Sequence, residues 1–353
     1  TNKTFFLGHS LINFHVPNMV DKLSIAGSQT FSYDANIGIG ANLSWHWNSP
    51  TTGQGDQWNL TLPNGGYEKF IITEAIPLDG HLAFSDTFGY ADRFYTFAQQ
   101  NNPNIQYYMY ETWHCASSGT SNAVSACGSD PNNTVLWRDR IDIDLPKWES
   151  IADNINSTHT NPMLIIPAGQ ALGKLYDRIE TGTVPGLSSL FDLFLDEHHL
   201  DQRGNYFIAC VMYAVIHGVS PVGLPNRLTT DYDILYDEYP TPELATIMQE
   251  VAWQTIIDYP RDGVNDSSLS ISKDENKISA FKIYPVPTNN ELTIQFSNSF
   301  SKNTRYSIYN PLGKTVLKGV LNSDITSINV TELSSGIYFI KIKNEVFKFI
   351  KSK

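Results

Sequence analysis

The stretch TFFLGHSLINF, residues 4–14, determines how the chain begins to fold. An apolar run ends at Gly8, the polar residues His9 and Ser10 follow, and an apolar pattern typical of a helix begins directly afterwards. A strand that passes straight into a helix is the opening unit of a parallel α/β sheet, because parallel strands need crossover connections. Ser10 would then lie at the carboxyl end of the first strand, where such sheets hold their active sites.

Four more strand-like segments follow, separated by helical segments. The predicted strands are TFFLG (4–8), TFSYDANIG (30–38), KFIITEAIPL (69–78), NIQYYMYETW (104–113) and PMLIIPAG (162–169). The predicted helices include DTFGYADRFYTFAQQ (86–100), LPKWESIADNIN (145–156, with Pro146 in its first turn), ALGKLYDRIETG (171–182), GNYFIACVMYAVIHG (204–218) and PELATIMQEVAWQTIIDY (242–259). This alternation predicts a five-stranded parallel sheet with helices on both faces.

The pattern changes near residue 262. Residues 263–280 are polar and lack periodicity, which is typical of a linker. Residues 281–353 contain short β patterns broken by turn signals and predict a small β-sandwich. We therefore expect a large domain at 1–262, a linker at 263–280 and a small second domain at 281–353, which suits a chain of 353 residues.

The charge is distributed unevenly along the chain. Residues 1–272 hold 12 Lys+Arg and 30 Asp+Glu, a net charge of −18, and the remainder holds 12 and 6, a net charge of +6. An acidic body repels phosphate backbones, so nucleic acid is excluded as a partner. No apolar run approaches the roughly 20 residues of a transmembrane segment. The N-terminus lacks a basic, apolar leader, so we expect either a cytosolic protein or one whose signal peptide has been removed.

Two of the three cysteines suggest a disulfide. Cys115 and Cys127 flank the small-residue stretch CASSGTSNAVSAC, and a bridge closing this loop is plausible outside the cytosol. Cys210 lies in an apolar helical pattern and is expected to be buried. No Cys/His spacing resembles a zinc site.

Ser10 becomes a nucleophile only if a base and a group that orients the base lie beside it. Of the nine histidines, His199 in LFLDEHHLDQRGNYF (193–207) precedes a late helix, in a segment that should return to the carboxyl edge of the sheet. Asp196 lies three residues earlier, and a D-x-x-H turn can bring its carboxylate to the second ring nitrogen. We therefore predict Ser10 as nucleophile, His199 as base and Asp196 as its orienting carboxylate.

These two blocks, GHSL (8–11) and Asp196 to His199, resemble the SGNH, or GDSL-type, hydrolases over about residues 4–260. The resemblance implies a flavodoxin-like three-layer α/β/α sandwich with a five-stranded parallel sheet. It also implies a triad of Ser10, Asp196 and His199, with no metal and no organic cofactor. The alternative is a flavodoxin-like domain in which the serine and histidine are incidental.

The same resemblance implies an oxyanion hole. The family takes donors from the serine's own N–H, from a glycine after the second strand and from an asparagine after the third strand. The glycine here is Gly40 or Gly38, with Gly40 preferred. The third block departs from the family, because Thr73-Glu74-Ala75 stands where the asparagine is expected. Glu74 would have to be protonated, turned away to orient another donor, or bound to substrate.

Aromatic and polar residues at the strand ends suggest a substrate surface. Trp45 and Trp47 follow the second strand, and Glu111, Trp113 and His114 end the fourth. Together with Glu74, they are the expected substrate-binding residues, since aromatic rings stack on sugar faces. The alternative is that the rings simply cover the edge of the core.

The C-terminal region resembles the sorting domain of the type IX secretion system. The matching blocks are YPVPTNNELTI (284–294), YSIYNPLGKTVLKG (306–319) and LSSGIYFIKI (333–342). This resemblance implies recognition by the type IX secretion machinery and a secreted or cell-surface protein with its signal peptide removed. The alternative is a carbohydrate-binding β-sandwich, which would expose aromatic residues on one sheet face, but this region has no tryptophan.

Together these features predict a secreted serine ester hydrolase that removes acetyl groups from a polysaccharide. Two alternatives stay open. The first is a lipid or aryl esterase of the same family. The second is a non-catalytic glycan-binding protein on the same scaffold, which the missing asparagine alone favours.

Overall fold

The computed structural model describes residues 2–123, 127, 130, 132–264, 281–296, 304–310, 314–342 and 345–352. The chain divides into two compact units, Thr1–Asn265 and Asp266–Lys353. Residues 265–280, most of the predicted linker, lie outside the described residues. Each unit is considered by itself below.

The N-terminal unit alternates strands and helices. Its elements are β1 (Asn2–Gly8), α1 (His15–Ala26), β2 (Phe31–Ile37), α2 (Leu43–Asn48), β3 (Gln54–Gly55), α3 (Trp58–Gly65), β4 (Lys69–Ile72), α4 (Leu78–Phe84), α5 (Thr87–Asn101), β5 (Gln106–Glu111), α6 (Trp137–Thr158), β6 (Met163–Pro167), α7 (Ala168–Glu180), a 3₁₀ turn (Leu190–Leu193), α8 (Gln202–His217) and α9 (Pro242–Asp258). The sheet order is β3-β2-β1-β4-β5-β6. The five predicted strands are parallel, as expected, and the additional β3 pairs antiparallel at the edge. With only two residues, β3 has no periodic pattern that could have predicted it.

Both faces of the sheet are buried beneath helices, because successive strand side chains point to opposite sides. Phe6 of β1 packs with α1, α7, α8 and α9 in one apolar cluster. Phe5 and Leu7 pack with α3, α5 and α6 in the other. The result is the predicted three-layer α/β/α sandwich.

The helix predicted from residue 145 begins earlier in the structure. Helix α6 starts at Trp137, so Pro146 lies inside the helix and not in its first turn. Its first two turns are held by buried Trp137 and Ile141 and by the ion pair between Arg140 and Asp144. These tertiary contacts outweigh the hydrogen bond that proline removes. Within the described part of the chain, no helix is both long enough and apolar enough to cross a bilayer.

The strand order places β1 where the direction of strand addition reverses. β1 lies between β2 and β4. The chain passes from β1 to β2 on one side, and it then crosses back to form β4 on the other side of β1. In doubly wound sheets this switch point opens a crevice at the carboxyl ends of the strands. Ser10, two residues after β1, is at that crevice.

The C-terminal unit consists of β strands only, within its described residues. Its strands are β7 (Phe281–Tyr284), β8 (Glu291–Phe296), β9 (Thr304–Tyr309), β10 (Thr315–Leu321), β11 (Ile325–Asn329), β12 (Gly336–Ile342) and β13 (Glu345–Lys351). They form two antiparallel sheets, β10-β9-β12-β13 and β11-β8-β7. Leu292 and Ile294 from one sheet and Ile308 and Ile340 from the other share a single apolar core. This is the predicted β-sandwich.

Candidate active site

Ser10 is presented by a tight turn between β1 and α1. The backbone N–H groups of Ile12 and Asn13 both donate to the carbonyl of His9, at 2.9 and 3.1 Å. A Cβ at Gly8 would lie 2.6 Å from the Ile12 side chain and 2.9 Å from that of Thr73, so glycine allows both side chains to pack closely against this turn. The chain can therefore turn sharply at the end of β1 and leave Ser10 half-buried at the sheet edge.

His9 is not available as a base. Its Nε2–H donates to the carbonyl of Glu74 at 2.9 Å, and its Nδ1 accepts from the N–H of Leu11 at 3.3 Å. Burial lowers the pKa of His9 to about 4, so the ring is neutral at physiological pH. His9 thus attaches the Ser10 turn to the segment after β4.

The structure brings Ser10, His199 and Asp196 together, although the serine and histidine are 189 positions apart. His199 Nε2 lies 2.8 Å from Ser10 Oγ. His199 Nδ1 lies 2.7 Å from Asp196 Oδ2. A carboxylate only accepts hydrogen bonds, so the ring proton lies on Nδ1, and Nε2 has a lone pair directed at the serine hydroxyl. This is the tautomer that a general base needs.

Asp196 is held in its ionised form. Its Oδ1 accepts from the backbone N–H groups of His198 and His199, both at 2.8 Å, which closes a local turn. Partial burial acts to raise the pKa of Asp196, but these two hydrogen bonds and the one from the His199 ring outweigh it and lower the pKa to about 2. The carboxylate is therefore charged wherever the protein is folded at ordinary pH.

Neighbouring backbone contacts fix the segment that holds both triad residues. Phe194 and Leu200 form an antiparallel bridge around it, and the Leu195 N–H donates to the His199 carbonyl at 2.8 Å. Immediately afterwards Asp201 caps α8 by accepting from the Gly204 N–H at 2.8 Å. The D-x-x-H segment is thus a closed loop ahead of a buried helix.

The two candidate oxyanion glycines differ in their backbone bonding. The Gly38 N–H donates to the Gly8 carbonyl at 2.9 Å and is already used. Gly40 has a left-handed backbone, φ +63°, and open space around its Cα. Neither the Gly40 N–H nor the Ser10 N–H donates to an acceptor among the described residues. This difference supports Gly40 as the oxyanion donor.

Glu74 is not a substrate residue, and the expectation that it binds substrate is corrected. The side chain is fully buried. Its Oε1 accepts from the N–H groups of Leu43 and Ala75, at 3.2 and 2.8 Å, and its Oε2 accepts from the Thr87 hydroxyl at 2.8 Å. Burial raises the pKa of Glu74, and these hydrogen bonds oppose the rise. The carboxyl group is turned inward, where it joins the end of β4 to the start of α2.

The other expected substrate residues also prove to be largely internal. Glu111, Trp113 and His114 are buried. Trp47 stacks on Trp58 with ring centroids 5.2 Å apart and covers the edge of the second core cluster. We withdraw Glu111, Trp113 and His114 as substrate contacts because the end of β5 is buried inside the domain, and Trp47 because its ring packs against Trp58. Trp45 alone keeps an exposed ring.

Trp113 instead supports the loop that contains Asp196 and His199, a role that the sequence did not predict. Its Nε1–H donates to the His198 carbonyl at 2.8 Å. Next to it, Glu197 accepts from the Ser117 N–H at 2.9 Å, and the Glu197 carbonyl accepts from the Ala116 N–H at 2.8 Å. The segment after β5 therefore supports the loop that holds the base and its carboxylate. Only the position of Glu197 inside the D-x-x-H block could have indicated this role.

Cys115 and Cys127 are bonded to each other, with Cα atoms 5.5 Å apart. Cys210 is a buried free thiol in α8. The bridge closes the segment after β5, directly beside the residues that contact Glu197.

Comparison with known proteins identifies the C-terminal unit. Residues 282–352 match the family model of the secretion system C-terminal sorting domain. This confirms the predicted type IX sorting domain, so the chain is a secreted or cell-surface protein. No curated protein sequence matches the chain significantly.

Solved structures resemble the N-terminal unit at low sequence identity. A DUF4886 family protein from Bacteroides uniformis is 16% identical, covers 75% of this chain and 98% of its own, and has a TM-score of 0.51. A carbohydrate esterase family 3 protein from Talaromyces cellulolyticus is 14% identical, over 62% and 100% of the two chains, with a TM-score of 0.37. A GDSL-like lipase from Bacteroides thetaiotaomicron is 14% identical, over 61% and 88%, with a TM-score of 0.32. The first supports the fold alone, and the other two support no inference about this chain.

The N-terminal unit has the predicted three-layer α/β/α sandwich, and Asp196, His199 and Ser10 are joined by successive hydrogen bonds at the carboxyl edge of its sheet. The C-terminal unit is a secretion sorting domain.

Proposed function

We propose that this protein is an exported serine ester hydrolase that removes acyl groups, acetyl in particular, from a polysaccharide. One observation carries the proposal: His199 Nε2 lies 2.8 Å from Ser10 Oγ while Asp196 holds Nδ1 of the same ring. This is the arrangement that turns a hydroxyl into a nucleophile.

The reaction follows from these positions. Ser10 Oγ attacks the ester carbonyl as its proton passes to His199 Nε2, and the N–H groups of Ser10 and Gly40 stabilise the oxyanion. His199 then protonates the leaving alkoxide, which departs as an alcohol and leaves an acyl-serine. Water attacks the acyl-serine with His199 again as base, which releases the carboxylic acid and restores Ser10. Asp196 stabilises the imidazolium in both halves.

The accessibility of the site supports a large substrate. The His199 and Asp196 side chains are 40% and 54% exposed, so the triad lies at the rim of the domain and not at the bottom of a narrow pocket. An acyl group on a polymer can reach such a site without threading the chain. The export signal and the exposed Trp45 ring are consistent with a polysaccharide outside the cell.

A second substrate class has one observation in its favour. Two large apolar side chains adjoin the site in sequence and are strongly exposed: Ile39 beside Gly40 (80%) and Leu195 beside Asp196 (71%). Exposed apolar groups next to a catalytic crevice suit the acyl chain of a lipid or the ring of an aryl ester.

The decisive experiment compares wild type, Ser10→Ala and the exposed control Ser157→Ala on p-nitrophenyl esters of increasing chain length and on acetylated polysaccharides. We expect Ser10→Ala to lower kcat by about four to six orders of magnitude, while Ser157→Ala is unchanged. Acetate release from polysaccharide supports the first substrate class, and a preference for chains longer than acetyl favours the second. A protein that binds glycans, hydrolyses no ester and is not labelled at Ser10 by a fluorophosphonate would overturn the proposed enzymatic activity and leave the non-catalytic alternative.

A further inference from the structure

The oxyanion hole lacks the donor that the family takes from the third block. Glu74 occupies that position, and both of its carboxyl oxygens accept from donors in the interior. A carboxylate could not donate to an oxyanion in any case. A third donor would have to come from another side chain.

His81, on α4 just after this block, has a free donor of the right kind. The Asn42 amide orientation is settled, because its Oδ1 accepts from the Trp45 backbone N–H at 2.8 Å and caps α2. Its Nδ2 therefore donates to His81 Nδ1, at 3.2 Å. An Nδ1 that accepts a hydrogen bond has no proton, so the ring proton of neutral His81 lies on Nε2. Burial lowers the pKa of His81, which favours this neutral form.

The sheet order and one hydrogen bond bring the connections that contain Asn42 and His81 together at the carboxyl end of β1. Gly40 and Asn42 follow β2, which flanks β1 on one side, and α4 follows β4, which flanks it on the other. The Asn42–His81 hydrogen bond joins these two connections, so they meet across the carboxyl end of β1, where Ser10 lies. His9, next to Ser10 in sequence, donates to the Glu74 carbonyl at 2.9 Å, which holds the segment between β4 and α4 against the Ser10 turn.

Ser85 completes the support of the ring. Its hydroxyl lies 3.0 Å from His81 Nδ1 and also accepts from Asn42 Nδ2 at 3.1 Å. His81 Nδ1 is thus fully engaged, whereas Nε2 has no partner among the described residues. The ring is anchored on one side and offers its N–H on the other.

We propose that His81 is the third oxyanion donor of this enzyme, with its Nε2–H taking the part of the missing asparagine amide. The proposal rests on the proposed esterase function. His81 would stabilise the charge on the carbonyl oxygen as Ser10 attacks, without exchanging a proton with the substrate.

The test compares His81→Phe, which keeps a ring but removes the donor, with His81→Gln, which restores an N–H on a flexible chain. The control is His159→Gln, a histidine at the end of α6 bonded to Asp92. With p-nitrophenyl acetate, we expect His81→Phe to lower kcat about 10²–10³-fold with KM nearly unchanged, and His81→Gln to recover part of the loss. The affinity of a trifluoromethyl ketone, which forms the tetrahedral oxyanion, should fall by the same factor.

Three outcomes would overturn the proposal. The first is a His81→Phe enzyme with wild-type kcat. The second is a His81→Phe enzyme in which kcat falls, KM rises and the unfolding temperature falls together, which indicates a structural role only. The third applies even if the variant does not fold: ¹⁵N NMR of the wild type that shows His81 protonated on Nδ1 alone. If wild type neither hydrolyses esters nor reacts at Ser10 with a fluorophosphonate, the proposed function fails instead, so the two failures are distinguishable.

Discussion

The residues around Ser10 show how hydrogen bonds assign distinct states to four neighbouring histidine rings. His9 donates to a carbonyl and is neutral through burial, and His46 is likewise neutral, with its Nε2–H donated to the Gly8 carbonyl at 2.9 Å. His81 accepts at Nδ1, and His199 donates from Nδ1 to a carboxylate. Only His199 presents a lone pair at Nε2 to a hydroxyl. Chemical identity is the same in all four, and the partners decide the role.

At this scale Asp196→Asn tests the orienting carboxylate. The Asn Oδ1 can still accept from the His198 and His199 N–H groups, so the turn survives, but its amide nitrogen cannot accept from His199 Nδ1–H. The favoured tautomer of His199 therefore reverses, and we expect kcat to fall about 10³–10⁴-fold with little change in thermal unfolding.

The matched control is Asp233→Asn, at an exposed position with a left-handed backbone that asparagine tolerates equally well. Esterase rates of both variants, measured beside wild type, decide the matter. Equal rates for the two variants would show that Asp196 has no part in catalysis.

At the scale of elements, the site depends on segments that hold one another in place. Glu74 joins the end of β4 to the first turn of α2, which follows the Gly40 loop. The segment after β5 supports the triad loop through Trp113 and Glu197. Each connection that contributes a residue of the proposed site is thus held by a neighbouring connection, which limits the motion that would separate Ser10 from His199.

The disulfide should matter for activity as well as for stability. We expect the double variant Cys115→Ser/Cys127→Ser to lose about 3 kcal/mol of unfolding free energy, because the bridge restricts the unfolded chain. The kcat should also fall, since Ser117 and Ala116 lose part of their hold on Glu197. Urea unfolding and esterase rates, each with and without dithiothreitol, measure both effects.

In this experiment Cys210→Ala is the control for the thiol that takes no part in the bridge. Dithiothreitol should weaken wild type and Cys210→Ala alike and leave the double variant unaffected. If reduction changes neither the stability nor the rate of wild type, the bridge has no supporting role.

At the scale of the whole molecule, folding buries several groups that would be ionised in water. Glu111, at the end of β5, faces the start of α7 and accepts from the Gln170 N–H at 3.2 Å. Burial raises the pKa of Glu111 to about 8 in spite of this hydrogen bond. The Asp262 carboxyl, with its pKa raised by burial to about 7, adds to the effect. These two buried carboxyl groups therefore respond to pH differently from the acidic surface.

The pH dependence of stability follows from the sign of this shift. In the folded state Glu111 keeps its proton up to about pH 8, whereas in the unfolded chain it loses the proton near its ordinary pKa of about 4.3. The contribution of protonated Glu111 to the free energy of unfolding is complete below about pH 4 and is lost as the pH rises to about 8. Wild type should lose more unfolding free energy between pH 5 and pH 8.5 than Glu111→Gln, whose amide does not titrate.

Urea unfolding at several pH values measures these slopes, and Glu250→Gln on the exposed side of α9 is the control. The control should follow wild type throughout. Parallel curves for wild type and Glu111→Gln would show that Glu111 is ionised in the folded protein.

The sequence by itself determined the layers, the parallel strands and the β-sandwich, and it predicted the three residues of the proposed triad. These features follow from local patterns: apolar periodicity specifies which face of an element is buried, and GHSL and D-x-x-H each place a polar group at the end of an element. The secretion tail was equally readable, because its blocks lie in contiguous stretches of chain.

Only the tertiary structure decided what the remaining polar and aromatic residues do. Glu74, Trp113 and His114 follow strands as Ser10 does, and Glu111 ends one, but neighbouring helices and loops cover all four. Likewise, the donor on His81 depends on Asn42, which is 39 positions away and on the other side of β1. Burial and hydrogen-bond partners depend on which segments meet in space, and a local pattern contains no information about that meeting.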